Sequence, residues 1–191
     1  MKLAIIGGGS SYSPELLAGL FARIDQIPVS EVWLMDPDEK RLEINAAFAR
    51  RMIRHRCVPC SIHVTTRLEE ALKEARYAIT QIRVGQMAAR IADEKLGLKY
   101  GIVGQETTGL GGFACALRTI PRILEIAHLM EEVAPDAFLI NFTNPAGINT
   151  EAVIKHSKIR TVGLCNVPIG MIMDASKHLN YDPAGVTMDY V

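Results

Sequence analysis

No charge of one sign prevails in this chain of 191 residues, where 21 Lys and Arg stand against 21 Asp and Glu. Without excess charge there is no electrostatic reason to expect nucleic acid or an anionic membrane as partner. Nor is there a run of roughly 18 uncharged apolar residues, the length that a membrane-crossing helix needs. The apolar start Leu3-Ala-Ile-Ile6 is too short for the core of a secretion signal, and glycines follow at once. Cysteine is scarce. Cys57, Cys60, Cys115 and Cys165 are not spaced as a disulfide framework, so a reducing cytoplasm is the simplest setting. Repeats, low-complexity tracts and flexible linkers are missing too. That leaves one substantial domain, or one domain and the beginning of another.

Apolar residues are what the chain has, at 49%, enough to fill a core and to argue against disorder. Apolar runs alternate with helix-period segments, the pattern of an α/β fold with a mainly parallel, doubly wound sheet and helices on both faces. Leu3 to Ile6, Glu31 to Asp36, Ser61 to Thr65, Tyr77 to Ile82, Ala137 to Asn141 and Thr161 to Leu164 read as strands. A helix starts at Pro14 with Ser13 as its expected N-cap, and others cover Asp38 to Arg54, Leu68 to Glu74 and Pro121 to Val133. Val186 to Val191 reads as a further strand beginning. Ending on that apolar run, the chain reads as the front portion of something longer.

The first strand runs into Gly7-Gly8-Gly9-Ser10-Ser11-Tyr12-Ser13-Pro14 and then into a helix. Glycines there allow a tight turn and close approach to a pyrophosphate, and the helix N-terminus offers unpaired N–H donors. Gly7 and Gly9 fit the first two glycines of G-x-G-x-x-G, while Tyr12 stands where the third belongs. Taken alone, such a loop is also an ordinary strand-to-helix turn. Asp36 at the end of the second strand adds a carboxylate that can accept ribose hydroxyls and repel a 2′-phosphate, although Asp before Pro37 also suits a helix start. Together they predict a Rossmann-like unit binding NAD rather than NADP, with Gly7, Gly9, Ser10, Ser11, Tyr12 and Asp36 as cofactor residues.

Further candidates lie after the later strands, where an open α/β sheet places its ligands. Arg83 and Arg90 suit a phosphate or carboxylate, though Arg83 reads equally well as a solvated surface residue. Gly101 to Gly112 reads as a long loop with five glycines holding Glu106, either mobile filler or an active-site lid. Asn141-Phe-Thr-Asn144-Pro-Ala-Gly offers amides for sugar hydroxyls or the nicotinamide ribose, and is also common turn chemistry. Cys165-Asn166-Val-Pro168 presents one thiolate, which by itself is no metal site. Cys57-Val-Pro-Cys60 lacks a second ligand pair and reads as chance, and His128 reads as structural.

Gly7-Gly-Gly-Ser-Ser-Tyr-Ser-Pro-Glu-Leu16, Arg83-Val-Gly-Gln, Gly104-Gln-Glu-Thr, Asn141-Phe-Thr-Asn-Pro-Ala-Gly147 and Cys165-Asn-Val-Pro168 together resemble glycoside hydrolase family 4. They match in order along the whole chain, and the Cys-Asn-Val-Pro form is similar to the 6-phospho-β-glucosidase branch. The resemblance implies an exception among glycosidases. NAD+ transiently oxidises the sugar C3 hydroxyl, a base takes the acidified C2 proton with Mn2+ stabilising the enediolate, and the aglycone is eliminated. Water then adds and the hydride returns. It implies Cys165 as a Mn2+ ligand, Arg90 and Asn144 as substrate-binding with Arg83 nearby, Asp36 on the adenosine ribose and Asn141 among the cofactor residues. Asn166 and Glu106 are implied as catalytic-site residues, the latter without an assigned role.

The same resemblance implies a cytoplasmic homo-oligomer, more than twice as long, acting on a phosphorylated disaccharide or other 6-phospho-β-glucoside. Its second metal ligand, a histidine, and its catalytic tyrosine would follow Val191. On that reading residues 1–170 form the NAD-binding domain, 171–191 begin a catalytic and oligomerisation domain, and the chain alone is inactive. Two competing readings remain. One is a 2-hydroxy-acid dehydrogenase of the lactate or malate type, echoed by Arg83, Arg90 and Asn144-Pro145. The other is a non-catalytic NAD-binding fragment.

Overall fold

Every strand pair in the sheet is parallel, and the six strands lie in the order β3-β2-β1-β4-β5-β6. The structure, a computed structural model, describes residues 1–189. The strands are β1 Lys2–Ile6, β2 Glu31–Met35, β3 Ser61–Thr65, β4 Tyr77–Thr80, β5 Phe138–Asn141 and β6 Arg160–Gly163. The helices are α1 Ser13–Phe21, α2 Glu39–Arg56, α3 Leu68–Leu72, α4 Gln86–Leu98, α5 Gly109–Val133, α6 Ala146–His156 and α7 Asn166–Leu179. The doubly wound α/β expectation is met, and the strand order reverses between β1 and β4, where such sheets open a crevice.

Alternation along β1 shows why both faces need a cover. Leu3 and Ile5 join Leu17, Phe21, Leu42 and Ala46 of α1 and α2 in one core. Ala4 and Ile6 point the other way and join Leu72, Ile123, Met130 and Val153 of α3, α5 and α6. A strand buried on both sides reads as an unbroken apolar run, and β1 does. On β2, Trp33 stacks on His63 of β3 with ring centroids 4.8 Å apart, and the Lys2 ammonium lies 4.1 Å over the indole.

Several boundaries differ from the sequence reading for identifiable reasons. Tyr12, not Ser13, holds the N-cap position of α1, without a capping side chain. The Ser13 hydroxyl is buried and donates instead to the Gly8 carbonyl at 2.8 Å. The expected glycine loop ends at Thr108, because Gly109, Gly111 and Gly112 open α5 and Pro121 lies inside that helix. Helix α4 was not expected at all, and it carries Arg90. Cys57 closes α2 in the left-handed conformation, which gives Cys57-Val-Pro-Cys60 a plain role as a helix end. His128 shares a hydrogen bond with the His156 carbonyl at 2.9 Å, in keeping with a structural role. Val186 to Asp189 form no strand, and the rest of that expected strand lies outside the described residues. Helix α7 runs without a break through residue 170.

Candidate functional site

The glycine loop is tied to its neighbours on three sides. Gly7 and Gly8 both donate to the Met35 carbonyl, at 2.9 and 2.8 Å. Gly7 has φ +93°, and a Cβ there would come within 2.7 Å of the Gln81 carbonyl oxygen, so a side chain fits neither the conformation nor the space. A Cβ on Gly9 would come within 2.8 Å of the Asp36 carboxylate. That closeness is used: the Gly9 N–H donates to Asp36 Oδ2 at 3.0 Å, and Asp36 Oδ1 accepts from Asp38 N–H at 3.0 Å.

Two side chains that sequence reasoning missed complete the cradle. Asn45 of α2 donates from Nδ2 to the Gly8 and Ser10 carbonyls, at 2.9 and 2.8 Å. Its signal was available, since it is a buried amide on the same face as Leu42, Ala46 and Ala49. Gln81 donates to the Gly7 carbonyl at 3.1 Å and to Ser13 Oγ at 2.7 Å, while its buried Oε1 has no partner among the described residues. Ser11 is exposed on the cleft and its N–H has no acceptor among the described residues. A glycine cradle with a spare N–H at a helix start fits a pyrophosphate.

A cleft of about 740 Å³ runs from this loop past the ends of β1 and β4. Gly7, Ser10, Ser11, Tyr12 and Asp36 line it, as do Arg83, Arg90, Glu106 and Asn144. Gly9 is not among the lining residues and lies against the Asp36 carboxylate. Asn141 requires a correction: it is fully buried rather than facing the cleft. Its Oδ1 accepts from Thr80 and from Thr143 N–H, and its Nδ2 donates toward Thr143, Ala146 and Thr150. With every polar atom engaged, it shapes the turn that presents Asn144 and has no capacity left for a ligand.

Arg83 and Arg90, separate in sequence, converge on one carboxylate. Glu106 Oε1 pairs with Arg83, and its Oε2 lies 3.5 Å from Arg90. The Glu106 side chain is only 13% exposed. Arg90 also donates to Glu94 at 2.8 Å, and that bond, with the Glu106 charge behind it, holds its guanidinium above the usual arginine range. Behind them lies a pair that no motif singles out. Arg118 of α5 grips buried Asp93 of α4 through two bonds, at 3.2 and 2.6 Å, and donates to the Val84 carbonyl at 2.9 Å. It thereby fixes the turn carrying Arg83 against the helix carrying Arg90.

A second cleft of about 460 Å³ adjoins the first and is lined by Thr107, Asn144, Cys165 and Asn166. Tyr12 and Phe142 line both, stacked with centroids 5.2 Å apart. Burial and the nearby Glu15 charge push the Tyr12 phenol up, and a hydrogen bond with Asn166 pulls it back. Cys165 is exposed there, and among the described residues no group of three His, Cys, Asp or Glu could hold a metal ion. One thiol does not by itself make a metal centre. Among the described residues no helix is long and apolar enough to cross a membrane.

Comparisons with known proteins agree with this geometry. The model of family 4 glycosyl hydrolases matches residues 2–181. A probable 6-phospho-beta-glucosidase of Bacillus subtilis is 50% identical over 193 residues, which take in 100% of this chain and 44% of that protein. The 6-phospho-beta glucosidase of Thermotoga maritima, solved with manganese, NAD+ and glucose-6-phosphate, superposes with a TM-score of 0.89 at 38% identity. The match covers 98% of this chain and 46% of that one, so the chain spans less than half the length of these relatives. A malate dehydrogenase of Salinibacter ruber, at TM-score 0.66 and 15% identity, shares the fold alone. The chain belongs to family 4 of the glycosyl hydrolases.

Proposed function

We propose that this chain is the dinucleotide- and phosphosugar-binding portion of an NAD-dependent 6-phospho-β-glucosidase. One observation carries the reading: the glycine cradle, the Arg83–Glu106–Arg90 cluster and the Cys165–Asn166 corner share one continuous wall, with Tyr12 at the seam. In this reading residues 1–170 hold the cofactor and α7 leads into the remaining domain, in a cytoplasmic enzyme that is a homo-oligomer at full length.

Bound NAD+ supplies a reversible hydride acceptor at the sugar C3 position, which makes the neighbouring C2 proton acidic enough for the aglycone to be eliminated. The chain's own residues prepare that step. Ser11 brings its free backbone N–H to the pyrophosphate, Gly7 and Gly9 let the loop approach it closely, and Asp36 accepts from the adenosine ribose. Arg90 and Asn144 hold the phosphosugar, with Arg83 beside them. Glu106 keeps the two arginines together between substrates. Tyr12 and Phe142 form an apolar wall that keeps water from the reacting carbons, and Asn166 orients the Tyr12 phenol. Cys165 remains a single candidate ligand for Mn2+.

Titration calorimetry of this chain is expected to show NAD+ binding, weakened more than about tenfold by Gly9→Ala, since the new methyl displaces the Asp36 carboxylate. The full-length enzyme is expected to release the chromophore from a 6-phospho-β-glucoside only with NAD+ and Mn2+ present. Stoichiometric NADH production would overturn the hydrolase reading in favour of a dehydrogenase.

A further inference from the structure

The arginines along the larger cleft are not equivalent. Arg83 and Arg90 are paired with Glu106, and Arg122 is paired with Glu125. Arg41 is the exception: it lines the cleft with Asp36 and Pro37, and its guanidinium has no hydrogen-bond or ion-pair partner among the described residues. Only its backbone is engaged, donating to Asp38 Oδ1 at 3.1 Å in the first turn of α2. A Cβ built on Gly9 would lie 2.8 Å from the Asp36 carboxylate and 3.1 Å from Arg41 Cβ, so carboxylate and arginine flank the same point of the loop.

Asp36 does not neutralise this arginine, because both of its oxygens are turned to backbone N–H groups of Gly9 and Asp38. Each oxygen keeps a lone pair for a ribose hydroxyl, whereas a 2′-phosphate meets the carboxylate charge. An arginine without a side-chain partner, on the cleft wall in the first turn of α2 and with its Cβ beside that point of the loop, supplies what a phosphate dianion needs. Resting on the dinucleotide reading above, we propose that Arg41 is a 2′-phosphate-binding residue. The cleft then accepts 2′-phosphorylated dinucleotide as well as NAD+, with Asp36 setting the preference for NAD+.

Calorimetric titrations of the whole chain with NAD+ and with NADP+, each at low and high salt, test this. The wild-type chain is expected to bind both, NADP+ more weakly and with the steeper loss in salt. Arg41→Ala is expected to weaken NADP+ binding about tenfold or more while changing NAD+ affinity less than about twofold. Arg41→Lys is expected to keep part of the NADP+ affinity. Equal losses for both dinucleotides in Arg41→Ala would overturn the proposal, as would a wild-type chain that binds NAD+ and not NADP+. A wild-type chain that binds neither overturns the dinucleotide reading itself, and this inference with it.

Discussion

Along β1, β2 and β3 the sheet lies under α1 and α2, and Ile5, Leu17, Val32, Leu34 and Ala46 are wholly buried there. Around β6 and α7 the same chain leaves its apolar groups bare. Val162 and Leu164 are exposed, as are Val167, Ile169, Met171, Met173 and Leu179, and Ser176 is the buried residue of α7. Composition does not separate the two regions, since both are rich in large aliphatic side chains. Cover does. The first region is folded by what its own helices bring to it, while the second carries its apolar residues as surface. Stability in this chain therefore resides in the β1–β3 flank and the central strands.

The sharpest break in that contrast is Leu17→Ala, which empties a fully buried position and is expected to cost about 3 kcal/mol in urea unfolding. Next comes Asp93→Asn. It strips one partner from the buried pair behind the arginines, and with Arg118 30% exposed the expected loss is about 2 kcal/mol, below that for a fully buried pair. On the proposed function, phosphosugar binding should weaken with it while dinucleotide binding holds. Thiol chemistry gives a finer test. Cys57 and Cys165 are exposed whereas Cys115 is buried and Cys60 partly so, and two thiols should react quickly with a disulfide reagent. Cys165→Ser should leave one.

Burial also pushes the Cys60 thiol above its ordinary value of 9.0. A raised folded value means the unfolded chain loses the proton first. The contribution is therefore intact below about pH 9 and is lost as pH rises beyond it. Cys60→Ser should flatten the alkaline limb of the stability profile. The smallest effect is expected on the open side, where Ile169→Asp should shift stability by less than about 0.5 kcal/mol. A large loss there would show that α7 is packed more firmly than its exposure indicates.

Much of this architecture was legible because alternation and run length are local signals. The β1 run, the glycines and Asp36 follow one another within a single βαβ unit, and their spatial meeting follows from the crossover rule. What failed was reading glycine and proline as punctuation. Gly111 and Gly112 looked like loop, yet Cβ atoms there would come within 2.1 Å of the Gln105 carbonyl oxygen and 2.5 Å of the Thr107 backbone. They are helical residues kept small by close packing. Pro121 looked like a helix start because a missing N–H is free only there, but α5 accepts it mid-course. Arg118 and Asp93 were invisible for another reason. Their pairing spans 25 residues, and nothing in either segment marks the partner.

The chain's one tryptophan takes no part in either cleft. Trp33 is instead fixed between the Lys2 ammonium and the ring of His63 on the sheet's outer strand. Its emission thus reports on the β2–β3 edge of the sheet rather than on a cleft wall. It is expected to change when β3 peels from β2 and the His63 ring leaves the indole. Loss of that edge can be followed by fluorescence as the chain unfolds.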